Sequence, residues 1–153
     1  MGSFCFKYIR VYLADMNIVC KVYCKCDAAK LYSILNSNEG RASFWAESAR
    51  EENGVIHFSF PNGQVCDAPI LSKTAGKQIS FFYFDTDVTI NLYPEQPGTT
   101  VEVVNDNVPD NEYAEIKAGW VSVLMALKAS VDHGVDLRNH SAYRNWDTAY
   151  IDN

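Results

Sequence analysis

Residues 111–134 read NEYAEIKAGWVSVLMALKASVDHG. Ile116, Trp120, Val123, Leu124, Leu127 and Val131 recur there at three- and four-residue steps, which lines apolar side chains along one face of a helix. Pro109 interrupts what precedes it, Asp110 or Asn111 can cap the first N–H groups, and Glu112 and Glu115 put negative charge at the positive end of the helix dipole. Gly134, directly after His133, supplies the left-handed conformation with which helices commonly end. The spacing predicts one long helix over 111–133, and its apolar face needs an apolar sheet to bury against.

The sequence before the helix supplies that sheet. Ile18, Cys20, Val22 and Cys24 alternate with Lys21, Tyr23 and Lys25, the period-two pattern of a half-buried strand. Asp27 then caps a short helix in which Leu31, Ile34 and Leu35 share a face, ended by the breaker-rich Asn36-Ser37-Asn38-Glu39-Gly40; a second short turn carries Phe44 and Trp45. Asn53-Gly54 signals a hairpin, after which Ile56, Phe58 and Phe60 alternate with His57 and Ser59 up to Pro61-Asn62-Gly63. Further strands are predicted over 64–72, weakened by Pro69, and over 78–84, 88–93 and 100–104, with Asp85-Thr86-Asp87 read as a turn. Short strands joined by turns make an antiparallel meander. The expected fold class is α+β: a curved antiparallel sheet wrapped around the long C-terminal helix, with two short helices after the first strand.

A chain of 153 residues fits one domain, read here over 1–153. Residues 1–15 are read as an N-terminal extension or an added edge strand. Residues 135–153 space Leu137, Tyr143, Trp146, Tyr150 and Ile151 among charged side chains and are expected to wrap back onto the domain, since solvating those side chains is costly. The net charge of −6, with Lys and Arg scattered, gives no basic stripe for nucleic acid and no basic cluster for an anionic membrane. Phe4–Leu13 is interrupted by Lys7 and Arg10, so it reads as neither a signal peptide nor a span. Five cysteines (Cys5, Cys20, Cys24, Cys26, Cys66) without secretory context imply reduced thiols and a cytoplasmic setting, in which the Asn139-His140-Ser141 sequon is idle.

No catalytic constellation is visible. The chain has no Gly-x-Ser-x-Gly elbow, no phosphate loop and no His-Glu-x-x-His. His133, His140, Asp132, Asp136 and Asp147 match no metal-ligand spacing, and Cys20, Cys24 and Cys26 read as small buried strand residues, so neither metal nor cofactor is expected. Asp85 and Asp87 fit turn chemistry better than acid–base work. His57 falls on the solvent side if Ile56, Phe58 and Phe60 point inward. Trp45, Phe58, Phe60, Phe81, Tyr83 and Trp120 read either as plain core or as the lining of an open cavity.

Asp27-Ala28-Ala29-Lys30-Leu31-Tyr32-Ser33-Ile34-Leu35, Phe44-Trp45, Val88-Thr89-Ile90-Asn91-Leu92, Gly98-Thr99-Thr100-Val101 and Gly119-Trp120 followed by Leu124 and Leu127 resemble the START-like (SRPBCC) superfamily in its Hsp90-ATPase-activator-like (AHSA1-like) branch. The ending from Asp136-Leu137-Arg138 to Tyr150-Ile151-Asp152-Asn153 is similar to that of a bacterial subgroup. The usual Pro of the first helix is absent and its Trp is Tyr32. The resemblance implies the helix-grip fold and a pocket between sheet and helix. It implies binding of a small apolar or aromatic ligand by Tyr32, Phe44, Trp45, Ile56, Phe58, Phe60, Phe81, Tyr83, Ile90, Trp120 and Leu124, with inward hydroxyls of Tyr32 and Tyr83 orienting it. The alternatives it implies are stimulation of an Hsp90-type chaperone and a polyketide-cyclase-like or detoxifying activity. A monomer and a homodimer are both compatible with the sequence.

Overall fold

A computed structural model describes residues 16–153; residues 1–15, read above as an extension or edge strand, lie outside the described residues together with Cys5. The chain runs β1 (Met16–Cys24), α1 (Ala28–Leu35), α2 (Asn38–Ala42), β2 (Ser48–Glu52), β3 (Val55–Ser59), β4 (Val65–Thr74), β5 (Gln78–Tyr83), β6 (Thr86–Glu95), β7 (Gly98–Val108) and α3 (Tyr113–His133). Short 3-10 turns occupy Asp110–Glu112 and Trp146–Thr148. The strands form one antiparallel sheet in the order β1-β7-β6-β5-β4-β3-β2. After β1 the two short helices carry the chain to the opposite edge, and successive hairpins walk back until β7 pairs with β1. This is the α+β class read from the sequence.

The curvature comes from β4. Its first half pairs with β3, from Val65 opposite Ser59 to Pro69 opposite Val55, and its second half pairs with β5, from Ile70 opposite Phe81 to Thr74 opposite Gln78. The register shifts between Ile70 and Ser72 at this hand-over, and such an irregularity bends a strand. Asn53 and Gly54 take φ of 52° and 77°, the left-handed conformation that Asn tolerates and that Gly, lacking a Cβ, adopts freely in a two-residue turn.

Alternation places the core. Ile56 and Phe58, Ile79 and Phe81, Val88, Ile90 and Leu92, and Val101 and Val103 are buried on one face, which α3 covers with Trp120, Leu124 and Leu127. Asp27 caps α1 by accepting from Lys30 N at 2.7 Å, and Gly134 ends α3 with φ of 64°. No helix of the described residues is long and apolar enough to cross a membrane.

Four local readings change. The helix starts at Tyr113, after the 3-10 turn, and neither Asp110 nor Asn111 caps it. The Asp85-Thr86-Asp87 turn is the two-residue Phe84-Asp85, both at positive φ (46° and 60°), so Thr86 and Asp87 already belong to β6. β7 extends past Val104 to Val108. β2 has no counterpart among the strands that the sequence predicts, because SAREE buries only Ala49.

Candidate functional site

Trp45, placed just after α2, is the hub of the interior. Its ring centroid lies 4.8 Å from Phe58, 5.6 Å from Phe81 and Tyr83, 5.8 Å from Trp120 and 5.9 Å from Phe44. These are the separations of tilted and edge-to-face ring pairs. Phe60 stacks on Phe58 at 6.2 Å and 7°, and Phe84 touches both Phe60 and Tyr83. Trp45, Phe58, Phe81 and Trp120 are buried, whereas Phe60 is intermediate and Phe84 exposed, so the ring cluster meets solvent at its Phe60–Phe84 end. Ile56, Ile90, Phe44 and Leu124 are buried in the same core, and Tyr32 packs half-buried against it. The hydroxyl of Tyr32 has no partner among the described residues.

Polar groups are threaded through this apolar space. Trp45 Nε1 donates to Tyr83 Oη at 3.2 Å, and the Tyr83 phenol's own proton finds no acceptor among the described residues. Burial pushes the Tyr83 pKa well up, the Trp45 bond only partly opposing it, so the group is a neutral donor. Trp120 Nε1 donates to Asn105 Oδ1 at 2.9 Å; Asn105 Nδ2 donates to Thr86 Oγ1 at 2.8 Å and Asp87 O at 3.1 Å; Thr86 Oγ1 donates to Tyr83 O at 2.7 Å. Asn105 and Thr86 are buried. Sequence reasoning missed both, although Asn105 continues the inward parity of Val101 and Val103.

The other candidates lie apart from this cluster. His57 is exposed and bonded across the strands to Asp67 at 2.6 Å. Asp132 binds Lys128 and the Lys25 N–H. Cys24 is fully buried, and its thiol is pushed up to about 12 chiefly by burial. An open groove of ≈ 550 Å³ runs between Thr74, Gly76 and Lys77 and the β6 residues Asn91, Tyr93 and Pro94, sharing none of the ring cluster's residues.

The residues around Trp45 are held from two sides. Arg41 is buried and donates to Ala49 O at 3.0 Å, Leu35 O at 3.1 Å and Asn38 Oδ1 at 2.7 Å, which fixes α2 against α1 and β2. From the other side, Arg138 donates to Ala46 O at 2.9 Å and Ala42 O at 2.8 Å, and His140 contacts Glu47 at 2.6 Å.

This architecture recurs in solved structures. The Aha1 dimer of Colwellia psychrerythraea matches with a TM-score of 0.71 and 20% identity over 78% of this chain and 98% of its own. An AHSA1-like protein of Aeromonas hydrophila matches with a TM-score of 0.68 and 18% identity over 78% and 94%. The chain has the AHSA1-like fold. DynU16, a protein of the dynemicin biosynthetic locus, matches with a TM-score of 0.71 and 15% identity, over 78% of this chain and 48% of its own. No family model matches the sequence, and no curated protein matches it.

Proposed function

We propose that this AHSA1-like chain is a non-enzymatic binding protein that takes a small apolar or aromatic ligand between its sheet and α3. The observation that carries the reading is the ring cluster around Trp45, which reaches solvent at Phe60 and Phe84 and holds a phenol donor inside it. Ligand sites combine many apolar contacts with a few placed polar groups, and these residues supply that combination. The rings touch one another, so a planar guest would slide between them from the Phe60–Phe84 end and replace ring–ring contacts with its own. A guest bearing one acceptor would take the Tyr83 proton. The free thiols at Cys20, Cys24, Cys26 and Cys66 fit a cytoplasmic protein.

Native mass spectrometry of the purified protein, compared with its denatured mass and an organic extract, tests this reading. A co-purified apolar compound supports it. Trp120→Ala protein that stays folded yet retains that compound would rule out the assigned site.

A second reading is favoured by the likeness to the Aha1 dimer: a surface that stimulates an Hsp90-type ATPase, in a chain that pairs with a second copy. ATPase turnover of the cognate chaperone, unchanged by added protein, would dismiss it.

A further inference from the structure

Beyond Gly134 the chain crosses three other elements. Arg138, whose side chain is 6% exposed, binds the carbonyls of Ala42 and Ala46 on either side of Phe44–Trp45. His140 reaches Glu47, the next residue along. Trp146 Nε1 donates to Glu115 Oε1 at 3.0 Å on α3, and Asn62 Nδ2, from the β3–β4 turn, donates to Asp147 Oδ2 at 3.1 Å. The segment held most closely is the one carrying the hub of the ring cluster.

We propose that residues 135–148 are a strap holding the Phe44–Trp45 segment closed over the aromatic interior, and that protonated His140 is its latch. His140 Nδ1 lies 2.6 Å from Glu47 Oε1 and Nε2 lies 2.6 Å from Asp136 Oδ2. A neutral imidazole has one N–H and can serve only one of these carboxylates; the imidazolium serves both. Glu47 from the loop before β2, and Asp136 and Arg138 from the strap, are the charged groups around it. The bonds to Glu47 and Asp136 raise the His140 pKa, with burial and Arg138 opposing. For Asp136 burial is outweighed by bonds from Arg138 and His140, which hold it at about 2.

The direction of the pH effect follows. A raised histidine contributes stability that is complete below its unfolded value of about 6.5 and is lost as pH rises through the folded value. The depressed Asp136 contributes above the ordinary carboxylate range and is lost only on falling through about 2. The latch is therefore closed at mildly acidic pH and weakened at alkaline pH, while the bonds from Arg138 to the carbonyls of Ala46 and Ala42 keep the strap tethered.

Hydrogen exchange on the full chain tests this without any ligand, so the strap and the binding reading fail separately. The amides of Trp45 and Glu47 are bonded to Arg41 O and Ser59 O and report opening of the segment. Between about pH 5.5 and about pH 8.5, after correction for intrinsic rates, their protection should fall roughly tenfold, while Ile90 and Val103 in the central strands hold theirs. His140→Gln, which carries no charge, should show the low protection at both pH values. Protection at Trp45 and Glu47 that ignores pH, or that falls only in step with Ile90 and Val103, overturns the proposal. The wild-type series decides the matter alone if the variant does not fold.

Discussion

Asn105→Ala removes the junction between α3 and the β5–β6 hairpin. The amide accepts from Trp120 Nε1 and donates to Thr86 Oγ1 and Asp87 O inside the core. Thr86 keeps its bond to Tyr83 O, so the group left orphaned is the indole N–H of a residue only 3% exposed. An orphaned buried donor costs about 1–3 kcal/mol, and the bonds lost on the Thr86 side add about 1 kcal/mol. The small cavity contributes roughly 1 kcal/mol more. The sum is about 3–5 kcal/mol, which for a chain of this size lowers Tm by roughly 6–20 °C. Urea unfolding should show the midpoint falling with the slope unchanged. Trp120→Phe removes the donor itself, so a double-mutant cycle with Asn105→Ala should give a coupling of about 1–2 kcal/mol. A loss under about 1 kcal/mol for Asn105→Ala, or two single effects that add within about 0.3 kcal/mol, would refute the reasoning.

Other consequences are equally open to measurement. Arg41→Met keeps apolar bulk but abandons the carbonyls of Leu35 and Ala49; it should cost about 3–5 kcal/mol by denaturant unfolding, and a near-neutral result would show that α2 is held by packing alone. Cys24, whose thiol is held near 12, should resist iodoacetamide at neutral pH until the protein unfolds; labelling of the native protein by mass spectrometry would contradict that. Gly98→Ala would drive a Cβ to 2.1 Å from Cys24 O; displacing β7 from β1 should cost roughly 1–3 kcal/mol in thermal unfolding, and an unchanged Tm would mean the two strands separate freely there.

The fold class was legible because its signals are local: the period of the 111–134 segment, the alternation in β1 and β3, and Asn53-Gly54 as a two-residue turn. β2 escaped because an edge strand with one inward residue shows no apolar alternation. Asn105, Thr86 and Arg41 escaped for a different reason. Each is a polar residue buried because the folded chain satisfies it, Arg41 through carbonyls 6 and 8 residues away and Asn105 and Thr86 through each other across 19 residues, and composition carries no record of such partners. Arg138 shows the same limit, reaching carbonyls 92 and 96 residues earlier in the chain. Phe58, Phe81 and Tyr83 were legible singly through strand parity, and Trp120 through the helix period. Their convergence on Trp45 was not, because it depends on how far β4 bends and on where α2 sets its following residues down.

The three tryptophans give a direct test of ligand entry into the interior, since Trp45 and Trp120 sit in the ring cluster and Trp146 lies in the tail. Their indole N–H signals can be followed by two-dimensional NMR while 2-naphthol, an aromatic probe with one hydroxyl, is added. Saturable movement of the Trp45 and Trp120 signals with Trp146 unmoved is the predicted result; movement of Trp146 alone, or of none, would contradict binding in the interior.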